Sequence, residues 1–482
     1  MKTILFFDRC DLTRLYILLT KELQDKVEII HVAFSDTEAR FLDEAGLSYI
    51  NYQNEFSHEV DTFSFSHELI NEIDSFILKQ SDGKFTLNGS IQSDRGYTLL
   101  NYDEALLTAC CHYIVWKRIF EKHHVDIMYH EPASQFMTHI ASLLCKEQGG
   151  RYIYQTQLES DMAGYHYLNI DGENFRCAEL EANYSNFKEH IDEIDLERCK
   201  KFVSIYRKNH SIAFGNLVKQ KTSTWELRLS SLKHRLYLLF HESRYDRIKN
   251  NIDYWIMHNN IAGDKLYNLK EYKYRGIKFE QPVKGDKYFY YSMHLEPEAT
   301  VLYLSGGLYT NQIKLIENIA AALPPGYYLY VKDHPHEFAY RKADDYERLM
   351  CVPNIRLIDQ RIPGKKLIRD AAGVFSINGT VGFEGLILLK NVFCFGESYY
   401  TPIPRVNYVK NVRDLHEIIY KSLTTVNEED EDFFAFVYAY LVSMHDGFVT
   451  YFGDRSENAG INPIQNAQTI AQNIIQDVKK LQ

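Results

Sequence analysis

The feature that most constrains this chain is a repeated alternation of short apolar runs with amphipathic helical patterns. Runs too short for a helix indicate buried strands, and the helical stretches between them favour parallel pairing, because parallel strands need a long crossover. In the first part of the chain the predicted strands are Ile4–Phe7, Val27–Phe34, Tyr49–Tyr52, Asp126–Tyr129 and Arg151–Gln157, and the predicted helices are Leu12–Leu23, Thr37–Glu44, Tyr102–Glu121 and Ser134–Lys146. The pattern predicts a parallel sheet covered by helices, interrupted by a polar insertion near 54–100.

A second series of the same kind begins near residue 286. Its predicted strands are Tyr288–Tyr291, Val301–Leu304, Tyr327–Lys332, Ile355–Ile358, Val374–Ile377 and Asn391–Phe395, and its helical patterns include Asn311–Ala322, Ala343–Met350 and Val381–Leu389. This series predicts a second Rossmann-like lobe. The expected fold class is therefore α/β, with two Rossmann-like domains facing a cleft and with helices at the C-terminal end.

The length of the chain supports this division. At 482 residues it exceeds what a single hydrophobic core usually organises. We place an N-terminal domain at residues 1–265, which includes a helical and locally basic segment at 197–260, and a C-terminal domain at residues 280–450. Residues 451–482 are expected to form a tail and a helix.

Composition excludes several classes of protein. The net charge of −11 argues against a general nucleic-acid binder, which needs a basic face. The eight cysteines show no CxxC pair, so neither a disulfide framework nor a zinc site is indicated. No stretch reaches the ~18–20 apolar residues of a membrane span. We expect a cytoplasmic protein whose basic segment at 197–260 either lies peripherally on the inner face of the inner membrane or is the solvated face of a packed helix.

The first candidate site residues follow the apolar run Tyr327–Val331, in the sequence Lys332-Asp333-His334-Pro335-His336. Ligands of open α/β sheets bind at the carboxyl ends of strands, which places His334 at the expected cleft. Pro335 restricts the backbone of His334 to an extended conformation. His334 is then either a hydrogen-bond donor to a nucleotide phosphate or a structural histidine at a strand end, and Lys332 and His336 are weaker candidates.

The second constellation is the run Val374–Leu386, in which a predicted strand is followed by small and polar residues and then by a helix. Free backbone N–H groups at a helix start attract phosphate. Ser376, Asn378, Gly379 and Thr380 are the candidate phosphate contacts, and Glu384 suits ribose hydroxyls because a carboxylate accepts hydrogen bonds. Helix capping alone also selects Ser, Asn and Thr, so the turn gains weight from its pairing with the His-Pro sequence.

A third turn follows Val301–Leu304, in the sequence Ser305-Gly306-Gly307. Gly306 there allows a backbone to approach the donor, or simply makes a tight turn.

Several of these segments together carry a resemblance to a known family. Tyr291–Thr300, Val331–Pro335, Ser376–Gly385 and Val392–Gly396 resemble the bacterial capsule polysaccharide biosynthesis family. Characterised members of this family include GT-B transferases of 3-deoxy-manno-octulosonic acid (Kdo), and related proteins handle other ulosonic acids from CMP-activated donors. The resemblance covers roughly residues 285–410 well and the N-terminal part only weakly.

The resemblance implies roles for individual residues. By it, His334, Ser376, Asn378, Thr380 and Glu384 hold the CMP part of the donor. Family members usually carry Gln-Pro where this chain has Glu296 and Pro297, so Glu296 is a donor-site candidate with a carboxylate in place of an amide.

The resemblance also places the catalytic carboxylate in the N-terminal lobe. Glu159 and Asp161 follow the predicted strand Arg151–Gln157 and are candidates for a general base or a nucleophile, with His334 acting on the leaving group. His130 and Glu131, after the strand Asp126–Tyr129, are the alternative. We expect neither a metal nor a cofactor, since no Asp-x-Asp motif follows a suitable strand.

Together these features predict a glycosyltransferase of a CMP-activated acidic sugar, such as Kdo or a nonulosonic acid of the sialic or pseudaminic type. The expected partners are the nucleotide-sugar donor and an oligosaccharide or polysaccharide acceptor, lipid-linked or free. Two alternatives remain at this stage: a teichoic-type transferase of glycerol phosphate or ribitol phosphate from a CDP donor, and a non-catalytic subunit of capsule assembly.

Overall fold

The structure is a computed structural model that describes residues 1–9, 11–97, 100–158, 164–187, 192–208, 274, 276–296, 298–334, 341–449 and 460–480. The chain forms two compact units, one made of Met1–Lys221 with Val437–Gln482 and the other of Thr222–Phe436. The divisions after Lys221 and after Phe436 lie at other positions than the predicted boundaries near 265–280 and 450. The end of the chain belongs to the first unit because its last helix and last strand pack there.

The first unit contains one sheet of seven strands. With strands numbered along the chain, these are β1 Thr3–Asp8, β2 Glu28–Ala33, β3 Ile50–Asn51, β4 Ile127–Tyr129, β5 Arg151–Gln157, β6 His166–Asp171 and β13 His445–Asp446. The spatial order is β13-β6-β5-β4-β1-β2-β3, in which β1 to β5 are parallel and β6 and β13 are antiparallel to their neighbours. The predicted parallel sheet is confirmed, and the antiparallel edge was not foreseen.

Helices cover this sheet and fill the predicted insertion. They are Asp11–Leu23, Asp36–Glu44, Tyr52–Thr62, His67–Gln80, Leu87–Gln92, Tyr102–Lys122, Phe136–Glu147, Ala178–Phe187, Glu193–Lys208 and Pro463–Lys480, while Glu431–Val442 spans the division between the units. The segment near 54–100 is therefore largely helical. Among the described residues, no helix combines the length and apolar character that a bilayer crossing requires. Beyond residue 208, the predicted basic segment at 197–260 lies outside the described residues.

The core of the first unit joins the two ends of the chain. Strand β1 is buried along its whole length, as its sequence TILFFD predicts. Leu15 and Leu19 of the first helix share a hydrophobic cluster with Ile470 and Ile474 of the last helix, and all four side chains are buried. Burying side chains of this size contributes about 1.5–3 kcal/mol each, so the last helix is part of this core.

The second unit contains a sheet of six strands, all parallel. They are β7 Lys287–Ser292, β8 Tyr327–Lys332, β9 Ile355–Ile358, β10 Gly373–Ser376, β11 Asn391–Cys394 and β12 Val406–Tyr408, and the helices are Gln312–Ala322, Ala343–Met350, Gly364–Asp370, Thr380–Ile387 and Leu415–Leu423. The spatial order β12-β11-β10-β7-β8-β9 is that of a Rossmann sheet. The prediction of two Rossmann-like domains is thus confirmed for each unit by itself.

One predicted strand is wrong. Val301–Leu304 forms successive turns, in which the N–H of Leu302 donates to the carbonyl of Glu298 and that of Leu304 to Ala299. The hydroxyl of Ser305 donates to the carbonyl of Val301, four residues back, as in a helical turn. An apolar run of four residues does not separate a strand from a buried helical turn, because both place consecutive side chains in the core.

The docking of the last helix leads to a stability prediction. Ile470→Ala should lower the free energy of unfolding of the first unit by about 2–5 kcal/mol, since it opens a cavity in the core. Hydrogen exchange of the β1 amides would measure the change.

The matched control is Ile464→Ala on the same helix, because Ile464 is 60% exposed. We expect this variant to change the exchange free energy by no more than ~0.5 kcal/mol. Equal effects of the two substitutions would contradict the docking of this helix face.

Candidate functional site

The candidate site lies at the carboxyl edge of the second sheet, where the strand order reverses. Strand β7 has β8 on one side and β10 on the other. The crossovers leave β7 and β10 in opposite directions, so a crevice opens beyond their carboxyl ends. The residues that follow these two strands are His294 and the stretch Ile377–Thr380. This crevice is the position where open α/β sheets bind ligands.

His294 connects the two strand ends. Its Nε2 accepts a hydrogen bond from the backbone N–H of Ile377 at 3.2 Å and lies 3.4 Å from Oγ of Ser376. Burial, and next the charges of His334 and Arg341, lower the pKa of His294 to about 3. His294 is therefore neutral near pH 7, with its hydrogen on Nδ1, which leaves Nε2 free to hold the turn.

The turn after β10 presents backbone donors. Oγ of Ser376 accepts from the N–H of Gly379 at 2.8 Å, and the hydroxyl of Tyr400 donates to the carbonyl of Gly379. Gly379 is the N-cap of the helix Thr380–Ile387 and provides no side-chain cap. The N–H of Gly382 donates to the carbonyl of Gly379. The N–H groups of Thr380 and Val381, at the first two positions, have no acceptor within the helix, so they are available to an anion.

Asn378 and Thr380 lie beside these backbone donors and differ in their exposure to solvent. Asn378 is buried, and its Nδ2 has no hydrogen-bond partner among the described residues. Thr380 is exposed at the first position of the helix, and Glu384 is half-buried one turn later. A buried amide donor without an acceptor is costly unless a ligand supplies one.

Gly379 is required by the closeness of His294. A Cβ on residue 379 would lie 2.6 Å from Cε1 of His294 and 3.2 Å from Oγ of Ser376. Its φ angle of −74° is available to any residue, so space and not backbone conformation selects glycine here. The imidazole can thus rest directly on the turn.

Arg341 organises the loops after β7 and β8. Its guanidinium, 1% exposed, pairs with Asp333 (Nε to Oδ2, 3.0 Å) and with Glu296 (Nη1 to Oε2, 2.6 Å), and Nη2 donates to the carbonyl of His294 at 3.3 Å. Burial alone would lower the pKa of Arg341, but Asp333 and Glu296 raise it above its ordinary value. The carboxylate of Glu296, predicted to touch the donor, is therefore held by a buried cation.

Asp333 and Glu296 are themselves fixed by further groups. Asp333 accepts from the backbone N–H of His334 at 2.8 Å and from the hydroxyl of Tyr346. Glu296 accepts from Nε2 of Gln312 at 2.7 Å, and the side chain of Gln312 also bonds the backbone of His294. The network holds His334 and His294 at the same edge of the sheet.

Gly306 does not follow a strand. It lies within the successive turns that replace the predicted strand, with φ +66°, a left-handed conformation that favours glycine. Its role as a tight turn is the one that the local structure supports.

The first unit has a reversal of its own, because β1 lies between β2 and β4. His130 and Glu131 follow β4 there. Nδ1 of His130 donates to the carbonyl of Phe7 at 3.0 Å, and burial lowers the pKa of His130 to about 4. Glu131 pairs with Arg9 at 3.2 Å. Burial alone would raise the pKa of Glu131, but Arg9 and His130 lower it, so this carboxylate is ionised at the sheet edge.

Four predicted residues cannot be placed. Glu159, Asp161, Pro335 and the weaker candidate His336 lie outside the described residues. His334, Ser376, Asn378, Gly379, Thr380 and Glu384 are described, and they lie around the carboxyl edge of one sheet.

Sequence reasoning missed three residues of the site, His294, Gln312 and Arg341. His294 follows the predicted strand Tyr288–Tyr291 by a few residues, as His334 follows its own strand, and that signal was available. Arg341 had no such signal, because it does not directly follow a predicted strand and lies just before the predicted helix Ala343–Met350.

The packing of His294 on Gly379 can be tested by a double-mutant cycle. Gly379→Ala should destabilise the second unit by about 1–3 kcal/mol, because the new methyl overlaps the imidazole. In a His294→Ala background the same substitution should cost much less. Urea denaturation of the four proteins would measure both values, and additive effects would rule out the contact.

The neutral state of His294 predicts a pH dependence. The unfolded chain takes up a proton at His294 below pH 6.5, but the folded protein does so only near pH 3. The stability from the neutral imidazole is therefore complete above pH 6.5 and is lost as the pH falls toward 3. His294→Gln should reduce the slope of unfolding free energy against pH between about 6 and 4 by up to ~1.4 kcal/mol per pH unit. An unchanged slope would show that His294 is not buried as described.

Comparison with solved structures gives similarities of low score. The β-Kdo 2,7-transferase and the β-Kdo 2,4-transferase of Thermosulfurimonas dismutans KpsC are 12% and 14% identical to this chain, with TM-scores of 0.36 and 0.38. The first match covers 74% of this chain and 89% of that chain, and the second covers 67% and 82%. A UDP-GlcNAc 2-epimerase from Methanocaldococcus jannaschii is 12% identical over 90% of this chain and 96% of that chain, with a TM-score of 0.25. At such scores these similarities add nothing to the fold that the two sheets display.

Comparisons with protein sequences and with family profiles give a clearer result than the structural comparison. No curated protein sequence matches this chain. A family profile does match, however, and its matched region contains the crevice between β7 and β10 with His294, Arg341 and the turn Ser376–Thr380. Over residues 228–404 the chain matches the family described as "Capsule polysaccharide biosynthesis protein", which confirms the predicted resemblance for that region.

Proposed function

We propose that this chain is a glycosyltransferase that moves an acidic ulosonic sugar from a CMP-activated donor to a polysaccharide of the cell surface, in capsule or lipopolysaccharide. The similarity to the capsule polysaccharide biosynthesis family over residues 228–404 supports a role in surface polysaccharide synthesis. The CMP donor and the ulosonic sugar come from the resemblance in sequence, so the experiment below addresses them first.

The observation that carries the proposal is the turn Ser376–Thr380 at the reversal of the second sheet. Backbone N–H groups at the start of the helix Thr380–Ile387 and the buried amide of Asn378 offer donors to one anionic group. A nucleotide phosphate matches this arrangement in charge and in hydrogen-bonding capacity. Glu384, one turn into the helix, is suited to accept hydrogen bonds from ribose hydroxyls.

The same hydrogen-bond donors also suit the departure of CMP as the leaving group. When the sugar leaves, the bond between its anomeric carbon and the phosphate oxygen breaks, and negative charge develops on CMP. Donors that are already fixed in place stabilise such charge without reorganisation. His334 follows β8 at this edge, and Asp333 fixes its backbone, so His334 is proposed to donate to the phosphate.

The carboxylate that acts on the sugar or the acceptor remains a prediction. Glu159 and Asp161 were proposed for this role and are not described. Glu131, which is described, is an ionised acid at the reversal of the first sheet and is the alternative. The independence of catalysis from metal is likewise a prediction, which addition of EDTA would test.

The experiment is CMP release by the purified protein from CMP-Kdo, CMP-sialic-type sugars, CDP-glycerol, UDP-sugars and GDP-sugars. We expect release from one CMP-ulosonic donor, and a decrease of about 100-fold in His334→Ala, in the range that removal of one leaving-group donor costs. A matched control is His416→Ala, because His416 is exposed on the helix Leu415–Leu423 of the same unit.

The alternatives give different results. Turnover of CDP-glycerol with formation of a new phosphodiester would identify a teichoic-type transferase. Turnover of UDP-sugars or GDP-sugars alone would exclude the CMP donor. If no donor reacts and none binds, the proposal fails and the alternative of a non-catalytic subunit of assembly is favoured.

A further inference from the structure

Lys332, the last residue of β8, is a buried lysine that forms no ion pair with the described residues. Lys332 is 7% exposed. Its ammonium group forms no hydrogen bond with the described residues. Burial lowers the pKa of Lys332, and Glu384 and Asp333 oppose this effect without pairing with it. Lysines almost never become this buried unless they are paired.

The position of Lys332 relates it to the crevice. In the register of the sheet Lys332 lies beside Ser292, two residues before His294. Strand β8 is two strands away from β10, and neighbouring strands are about 5 Å apart, so the backbone of Lys332 is roughly 10 Å from the end of β10. A lysine side chain covers much of that distance.

Another cation at this edge, Arg341, is already held by Glu296 and Asp333. Lys332 forms no such ion pair with the described residues. A cation in a buried residue without a close ion-pair partner is destabilising, and functional sites are where such groups are found.

We propose that Lys332 binds an anionic oxygen of the donor and so determines that the crevice accepts an acidic substrate. This inference rests on the proposed function, since it assigns a partner to a charge of the donor. Two groups of a CMP-activated ulosonic sugar have the required chemistry, the phosphate of the nucleotide and the carboxylate of the sugar.

The experiment measures binding of cytidine, CMP and CMP-Kdo to the wild type and to Lys332→Met by isothermal titration calorimetry. If Lys332 binds the phosphate, CMP and CMP-Kdo should each bind about 10–100-fold more weakly to the variant, and cytidine should bind equally. If it binds the carboxylate, only CMP-Kdo should lose affinity. Lys366→Met is the matched control, because Lys366 is exposed on the helix Gly364–Asp370 and its loss changes the net charge equally.

A second measurement separates binding from structure. Because methionine fills similar volume without a buried charge, the ligand-free Lys332→Met protein should resist urea at least as well as the wild type. A lower urea midpoint, or equal affinity of both proteins for all three ligands, would overturn the assignment. If the wild type binds none of the three ligands, the proposed function itself fails.

Discussion

The buried guanidinium of Arg341 is the interaction on which the described arrangement of the site depends. It contacts Glu296 and the carbonyl of His294 after β7, and Asp333 after β8, so one side chain ties two loops that the sheet alone would leave independent. The carboxylates of Glu296 and Asp333 neutralise the guanidinium. Tyr346 donates a further hydrogen bond to Asp333, and Gln312 donates one to Glu296. Buried ion pairs of this kind contribute little net stability, but removing Arg341 would leave two carboxylates without their cation. Its effect is therefore to specify loop positions.

Close packing at the turn after β10 has a related effect. His294 rests on Gly379, and the hydroxyl of Tyr400 holds the carbonyl of the same residue. The helix start is thus fixed before a ligand arrives, and its N–H groups need no reorganisation to meet a phosphate. The two networks share His294, whose backbone belongs to the arginine network and whose ring belongs to the turn. Displacement of this residue would affect both.

Much of the fold could be predicted because its strands are buried on both faces and read as continuous apolar runs. The prediction of a strand at Val301–Leu304 was wrong for the same reason, since a buried helical turn has the same apolar composition. Strands β6, β12 and β13 were missed, the last because two residues carry no pattern. In the site, the turn Ser376–Thr380 was predictable because its chemistry is contiguous in sequence. Arg341 was not, since its partners Glu296 and Asp333 become neighbours only when β7 and β8 pair.

The partnership of the first and last helices has a consequence for synthesis of the chain. Ile470 and Ile474 complete a cluster whose other members include Leu15 and Leu19, and β13 pairs with β6. As the ribosome adds residues from the N-terminus, the first unit emerges early but lacks part of its core until the final helix has left the exit tunnel. The second unit, encoded in one continuous stretch, has all its strands available sooner. During translation the second unit should therefore complete its fold before the first unit, although the first unit begins earlier in the sequence. The apolar surface of the first helix stays uncovered until the last helix has been synthesised.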